Sequence, residues 1–134
     1  MHALYEPAFD IDVLARKGKV IHAIPRERVN PAGVPFEGNI IRKNEKLIHI
    51  AEKITKELNL SYLFDIDVMT NKNGEFIICE INPRPSGSLA ALSIAGYPFL
   101  ENVFLNLMGE NIDLDINNVS RDVKILSYLE GVVL

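Results

Sequence analysis

The amino-acid sequence predicts an α+β fold in which helices pack on an antiparallel sheet. Two segments have the pattern of β-hairpins, because apolar and polar residues alternate on both sides of a short turn. One long and two shorter segments have the composition and apolar spacing of helices. Hairpins and helices that are separate along the chain favour α+β over a doubly wound parallel sheet.

The first predicted hairpin lies near the start of the chain. Residues 8–16 alternate apolar and polar, a Lys-Gly pair can turn the chain, and residues 19–28 form the second strand. Pro25 has no N–H to donate, which predicts either a break in the pairing or a strand at the sheet edge. Residues 30–38 are rich in Pro and Gly and are predicted to be a loop.

The middle of the chain contains the clearest helix and the second hairpin. Residues 44–58 carry apolar side chains at helical spacing, with charged side chains on the other face. Residues 61–70 and 75–82 are strong strand candidates on either side of Asn73 and Gly74. Asn-Gly between two such runs is the strongest short-range hairpin signal.

The C-terminal part is predicted to begin with a turn and to end with a strand. Residues 83–87 have turn composition, and residues 88–95 and 98–108 are predicted helices. Gly109 is a suitable C-terminal stop for the second of them. Residues 122–133 are predicted to contain one or two strands.

Composition limits the function classes. The 134 residues fit one domain, and 48% hydrophobic content is enough to form a core. The net charge of −4 argues against a general nucleic-acid-binding protein. A single cysteine excludes an internal disulfide and a cysteine-based metal cage. Strand alternation places Cys79 on the face opposite Glu80, where we expect a small core residue.

The sequence also predicts the compartment. No apolar run approaches the ~20 residues that a membrane-spanning helix needs. The N-terminus carries Glu6 and Asp10 instead of the basic and then apolar pattern of a signal peptide. We therefore expect a soluble, cytoplasmic protein without a membrane or nucleic-acid partner.

The second hairpin brings acidic residues together. If Asn-Gly forms a two-residue turn, Asp67 lies directly across from Glu80, and Asp65 lies across from Asn82, all on one face. Opposed carboxylates repel each other unless a cation lies between them. Carboxylate and amide oxygens suit Mg²⁺ or Mn²⁺. For Asp65 alone, a solvent-facing structural role is the favoured interpretation.

Basic and small residues follow this hairpin directly. Arg84 comes two residues after Asn82, where a guanidinium can clamp phosphate oxygens. Ser86, Gly87 and Ser88 lead into a predicted helix. Backbone N–H groups at such a helix start can bind an anion.

The run at residues 80–84, EINPR, resembles the E-x-N-x-R signature of ATP-grasp enzymes. As in that family, it ends a strand, follows a hairpin that carries an acidic residue and precedes a turn of small residues. The run FDIDVMTNKNGEFIICEINPRPSGS is most similar to the carbamoyl-phosphate synthetase-like and biotin-carboxylase-like branches. The first hairpin also resembles the strand pair that enters the C-terminal half of the ATP-grasp fold, so the resemblance covers nearly the whole chain.

The resemblance implies roles for the residues of the second hairpin. Glu80 and Asn82 would bind the metal ions that bridge ATP phosphates, and Asp67 would take the place of the upstream metal ligand. Asp67 precedes Glu80 by thirteen residues, and in the family this spacing varies by a residue around that value. Arg84 would be catalytic and would contact phosphate or an acyl-phosphate intermediate.

The first hairpin carries three further candidates for nucleotide binding. Glu6 would match the acidic residue that holds the ATP ribose. Arg26 and Arg28 would face the phosphate or the acceptor, and structural ion pairing is the equally weighted alternative for both.

The implied activity is that of an ATP-dependent carboxylate–amine or carboxylate–thiol ligase that forms an acyl phosphate. Its partners would be ATP, a metal ion and a small carboxylate substrate. The family's N-terminal lobe, with its phosphate-binding lysines, has no counterpart here, so residues 1–134 are expected to be a C-terminal subdomain. The lobe would act in cis or in trans, and the chain alone is expected to be inactive.

Two alternatives stay open at this point. One is a non-catalytic ATP-grasp-like module with a regulatory or assembly role. The other is a simple metal-binding α+β domain, which would bind metal without nucleotide. The sequence leaves open whether the chain is an enzyme, whether it forms a homo-oligomer, and which acid and nucleophile it would join.

Overall fold

A computed structural model describes residues 4–29, 38–110, 112 and 122–126. Within these ranges the strands are β1 (Leu4–Arg16), β2 (Lys19–Val29), β3 (Gly38–Ile41), β4 (Tyr62–Asn71), β5 (Phe76–Asn82) and β6 (Val123–Leu126). The helices are α1 (Glu45–Glu57), α2 (Ala90–Ile94) and α3 (Phe99–Met108). All strand pairs are antiparallel, in the order β5-β4-β1-β2-β3-β6. The predicted α+β class is confirmed.

The strand order corrects one prediction and extends another. β2 is not an edge strand, because it lies between β1 and β3. The predicted break in pairing does occur on the β3 side, since pairing with β3 stops at Arg26 and, among the described residues, Pro25 pairs only with Ile11 of β1. The predicted loop ends with a short strand, β3, that pairs with β2 and β6. The remaining predicted loop residues, 30–37, and the predicted strand residues after 126 lie outside the described residues.

Helix α1 covers one face of the sheet. Asn44 caps its N-terminus, because the Asn44 side chain accepts a hydrogen bond from the Leu47 backbone N–H. The apolar stripe of α1 then packs on alternate side chains of the central strands. This core cluster contains Phe9, Ile11, Val13, Ala15, Ala23, Leu47, Ala51, Ile54, Phe64, Ile66 and Val68. No helix in the described ranges has both the length and the apolar composition to cross a membrane.

Helices α2 and α3 cover only part of the opposite face. Their apolar side chains meet the sheet in a second cluster made of Leu14, Ile24, Ile41, Leu89, Leu92, Tyr97 and Phe99. Arg16 Nε donates to Asn106 Oδ1 at 2.7 Å, and Asn106 Nδ2 donates to the Ala15 carbonyl at 3.2 Å. These bonds fasten α3 to the end of β1. The remainder of this face carries the charged residues of β1, β2, β4 and β5.

The second hairpin reaches the predicted pairing by an unpredicted route. Its loop has three residues, 72–74, and ends in Gly74 with a φ of 76°, a left-handed conformation that favours glycine. Pairing from this turn is therefore one residue out of the predicted register. A β-bulge between Glu80 and Ile78 restores that register, so Asp67 pairs with Glu80 and Asp65 with Asn82, as predicted.

The bulge also decides which face each residue of β5 occupies. Phe76 packs against the core under α1. Strict alternation from Phe76 would place Glu80 on that same side, and the extra residue turns Glu80 and Asn82 to the charged face. Cys79 lies at the bulge on an edge strand and is exposed, so its predicted place in the core is wrong.

Gly38 permits the close approach of β3 and β6. A Cβ atom at this position would lie 2.0 Å from the Ile125 carbonyl oxygen, which is a backbone atom. We expect Gly38→Ala to lower the free energy of unfolding by about 1–3 kcal/mol through overpacking. Gly87→Ala is the control, because a Cβ there has no described atom within 4 Å. Equal urea midpoints for the two variants would contradict the prediction.

The burial of His22 should make its contribution to stability depend on pH. It is 3% exposed, and neither ring nitrogen has a hydrogen-bond partner among the described residues. Burial lowers the pKa of His22, so the unfolded chain binds a proton more readily than the native chain. The contribution of His22 to stability should therefore fall as the pH drops below the ordinary histidine pKa of about 6.5. Between about pH 7 and about pH 5, urea unfolding should show that the stability difference between His22→Leu and the wild type shifts in favour of His22→Leu. The exposed His49 supplies the control, since His49→Leu should keep the wild-type dependence.

Candidate nucleotide and metal site

The charged face is built from two transverse rows of side chains. Strand β1 lies between β2 and β4, so its residues have a partner on each side. One row, read from β5 to β2, is Glu80, Asp67, Asp10 and Arg26. The next row is Asn82, Asp65 and Asp12. Alternation along each strand puts both rows on the same face.

A polar cleft of about 120 Å³ opens on this face. It is lined by Asp10, Arg28, Asp65, Asp67, Asn82, Arg84, Ser86, Gly87 and Ser88. Four of the predicted site residues therefore meet in one place, namely Arg28, Asp67, Asn82 and Arg84. The strands supply acidic and amide groups, and the loop after β5 supplies the arginine and the small residues.

Arg28 bridges two carboxylates in the cleft. Its guanidinium binds both oxygens of Asp10, and its Nη2 lies 2.9 Å from Asp67 Oδ1. Burial alone would raise the pKa of Asp10. The hydrogen bond from Arg28 and the charges of Arg26 and Arg28 outweigh burial and hold the pKa of Asp10 below its usual value. Burial and the neighbouring Asp10 raise the pKa of Asp67 despite Arg28.

Asp65 differs from the predicted solvent-facing residue. It is 3% exposed, and its Oδ1 atom has no hydrogen-bond partner in the described part of the chain. Its carboxylate lies with those of Asp10 and Asp67 in a group whose oxygens are all within 4.8 Å of one another. Burial, followed by repulsion from the neighbouring carboxylates, raises the pKa of Asp65 to about 8. The solvent-facing position expected from the sequence is therefore wrong for this residue.

Three predicted residues lie outside the cleft lining. Glu80 is exposed on edge strand β5, directly across from Asp67. Glu6 is exposed near the start of β1. Arg26 has 0% of its side chain exposed and pairs with Asp12 at 2.6 Å. Of the two roles open for Arg26, the structure thus shows the ion pair.

The loop after β5 also differs from its prediction. Helix α2 begins at Ala90 and has only five residues, so the serines do not lie in its first turn. The Ser86 and Ser88 hydroxyls instead accept hydrogen bonds from Arg26, at 2.7 and 2.5 Å. Gly87 lies between them, exposed and on the cleft.

Sequence reasoning missed the contribution of β1. Asp10 and Asp12 were not predicted as site residues, although they belong to a repeated signal. The pattern of like residues two apart occurs as D-x-D at 10–12, R-x-R at 26–28 and D-x-D at 65–67. Each pair projects to one face of its strand. Only the pairing of β1 with both neighbours shows that the three pairs share that face.

Comparison with known families identifies this arrangement. The family model described as "ATP-grasp in the biosynthetic pathway with Ter operon" matches residues 1–130. The chain belongs to this ATP-grasp family. Comparison of the ATP-grasp chain with curated protein sequences finds no match.

Two solved structures show the same fold. L-amino acid ligase from Bacillus licheniformis has a TM-score of 0.63 and 20% identity over 90% of this chain and 34% of its own. N5-carboxyaminoimidazole synthetase from Staphylococcus aureus has a TM-score of 0.60 and 16% identity over 84% of this chain and 32% of its own. A structure of the synthetase complexed with ADP matches equally well. The ATP-grasp chain thus spans about a third of the length of these structures.

Removal of Arg28 should destabilise the fold through the carboxylates it neutralises. In Arg28→Met, Asp10 and Asp67 would repel each other in a half-buried environment. We expect the free energy of unfolding to fall by about 2 kcal/mol at neutral pH, less than for a fully buried pair. Arg28 holds the pKa of Asp10 below its usual value, so the ion pair stabilises the wild type above the ordinary aspartate pKa. The difference should therefore shrink as the pH falls below about 4.

Urea unfolding at several pH values checks this expectation. Arg42→Met is the matched control, because the Arg42 side chain is 46% exposed and pairs only with surface carboxylates in the described ranges. Its loss should change stability by less than about 0.5 kcal/mol. A difference for Arg28→Met that grows as the pH falls would contradict the assigned role.

Proposed function

We propose that this ATP-grasp chain forms the metal- and phosphate-facing wall of the nucleotide site of an ATP-dependent ligase. The observation that carries the proposal is the cleft in which strand carboxylates and an amide face two guanidinium groups. Such a cleft can hold a metal ion and phosphate oxygens side by side. The reaction class proposed is the joining of a carboxylate to an amine or thiol through an acyl phosphate.

The donor set suits a hard divalent cation. Asp67 and Asn82 line the cleft, and Glu80 lies across from Asp67 at its edge. Carboxylate and amide oxygens of this kind are ligands for Mg²⁺ or Mn²⁺. Asp65 Oδ1 has no hydrogen-bond partner among the described residues, and it adds a further oxygen atom to the same group. When bound, the metal would neutralise charge on the transferring phosphoryl group.

Around the cleft, the described carboxyl groups outnumber the guanidinium groups. These groups belong to five carboxylic acids, Asp10, Asp12, Asp65, Asp67 and Glu80, and three arginines, Arg26, Arg28 and Arg84. Arg26 and Arg28 already pair with carboxylates. A divalent cation would complete the neutralisation, which agrees with a metal-binding role.

The arginines have separate proposed roles. Arg84 is exposed on the loop and lines the cleft, where it can bind phosphate or acyl-phosphate oxygens as the catalytic cation. Arg28 faces the same space and can orient phosphate or the acceptor while it holds Asp10 and Asp67. Arg26 is buried below the cleft and donates hydrogen bonds to Asp12, Ser86 and Ser88. Contact between Glu6 and the ATP ribose rests on the family resemblance.

The named relatives agree with this reaction class. One is titled an L-amino acid ligase, and another is titled a synthetase complexed with ADP. Since the chain corresponds to about a third of their length, we propose that the N-terminal ATP-grasp lobe supplies the facing wall. The chain by itself would bind nucleotide weakly and would not turn over substrate. The carbamoyl-phosphate synthetase-like branch remains the proposed relative by motif.

Metal binding provides a direct test. The chain is titrated with Mn²⁺, and the electron paramagnetic resonance signal of free Mn²⁺ is recorded with and without ADP. We expect Mn²⁺ to bind, and ADP to tighten that binding. Asp67→Asn and Asn82→Ala should each weaken it by about tenfold, the effect of losing roughly one charged or polar ligand contact.

Asp122→Asn is the matched control, since it removes a carboxylate that pairs with Arg42 away from the cleft. It should leave Mn²⁺ affinity unchanged. Wild-type affinity in both Glu80→Gln and Asn82→Ala would refute the proposed metal ligands. Mn²⁺ binding without any effect of ADP would favour a simple metal-binding domain instead.

A further inference from the structure

Arg26 is fully buried, yet two of the four hydrogen bonds described for its side chain go to the loop at residues 83–88, which follows β5. Its Nε donates to Asp12 Oδ2 at 2.6 Å, and its Nη1 donates to Asn39 Oδ1 at 2.7 Å. The other two bonds go from Nη1 to Ser88 Oγ and from Nη2 to Ser86 Oγ. One guanidinium therefore connects β1, β2 and β3 to the segment that follows β5.

We infer that Arg26 is a positioning residue, which sets the place of Arg84 and Gly87 in the cleft by holding the loop at residues 83–88. This inference rests on the proposed function and adds a residue that touches neither metal nor nucleotide. Fold stability alone does not explain the arrangement, because apolar residues can replace a buried ion pair without loss of stability. Hydrogen bonds to two loop hydroxyls, in contrast, are specific in direction.

The loop is held at both ends around Arg84. Before it, Asn82 is 8% exposed and ends β5, and the Arg84 backbone N–H donates to the Asn82 carbonyl at 2.8 Å. After it, Ser86 is 8% exposed and is bound by Arg26. Arg84 is exposed between these two buried anchors. Its reach into the cleft is therefore limited by where the anchors lie.

The hydrogen bond to Ser88 also fixes the position of Gly87. Ser86 and Ser88 both turn inward to Arg26, and Gly87 between them lines the cleft without a side chain. Backbone of this kind can approach a phosphate closely. Loss of the two hydroxyls should release Arg84 and Gly87 together, while the strand residues Asp67 and Asn82 keep their places.

This separation predicts a split between two affinities. The Ser86→Ala/Ser88→Ala double variant removes the loop-side acceptors and retains the Asp12–Arg26 pair. In the 134-residue chain, we expect its affinity for Mn²⁺ alone to stay within about twofold of wild type. ADP affinity measured in saturating Mn²⁺ should fall by about tenfold. Ser93→Ala, an exposed serine on α2, should match wild type in both titrations.

Arg26→Lys provides a second variant, because lysine retains the charge but cannot bind both serines and Asp12 in a planar fork. It should show the same split if it folds. Amide hydrogen exchange reports on the loop independently of any ligand. The amides of Arg84, Leu89 and Ala91, which donate to the carbonyls of Asn82, Ser86 and Ser88, should exchange faster in the double-serine variant, with α1 unchanged.

The outcomes separate the inference from the proposed function. Wild-type ADP affinity in the double-serine variant, or an equal loss of Mn²⁺ and ADP affinity, would overturn the positioning role while the nucleotide site stands. If wild type does not bind ADP, the proposed function fails. In that case amide exchange decides the placement role: unchanged protection of the Arg84, Leu89 and Ala91 amides would overturn it, and faster exchange would support it.

Discussion

The site depends on the requirement that charges buried in the middle of a sheet be neutralised by charges on neighbouring strands. Asp12 is fully buried on β1, and its partner Arg26 is fully buried on β2. Removing either partner would leave an isolated charge in a low-dielectric interior, at a cost of about 3–5 kcal/mol. The spacing of these residues, the register of β1 with β2 and the path of the following loop are linked through this pair.

The two faces of the sheet differ in composition, and this difference allows one of them to carry buried charges. The face under α1 is almost wholly apolar and supplies the larger core cluster. The opposite face is apolar only where α2 and α3 cover it, and charged where the cleft opens. Burial of apolar area on one side offsets the repulsion between the carboxylates on the other. A polar cleft can therefore be built on strands, whose backbone is more rigid than that of loops.

Within the cleft, strand residues and loop residues contribute differently. Asp67 and Asn82 are set by cross-strand pairing, so their separation follows from sheet geometry. Arg84 lies on a short loop whose position depends on side-chain hydrogen bonds from β2. The metal binding proposed for the strand residues and the phosphate binding proposed for the loop should therefore be separable by mutation. Arg28 also links strand residues to each other, because its guanidinium binds both Asp67 and Asp10 of the central strand.

The sequence by itself determined the local elements and the local motif. Alternation, the Asn-Gly turn signal and the helical stripe of residues 45–57 are short-range properties, so both hairpins and α1 were predictable. The opposition of Asp67 to Glu80 was predicted too, although a three-residue turn and a bulge produced it together. Only tertiary structure decided the pairing of β1 with β4, because strands far apart in sequence carry no local signal for their register. That pairing buries Asp65 and adds Asp10 to the cleft. Long-range contacts with β3 and with the loop after β5 bury Arg26, which thereby binds the loop that bears Arg84.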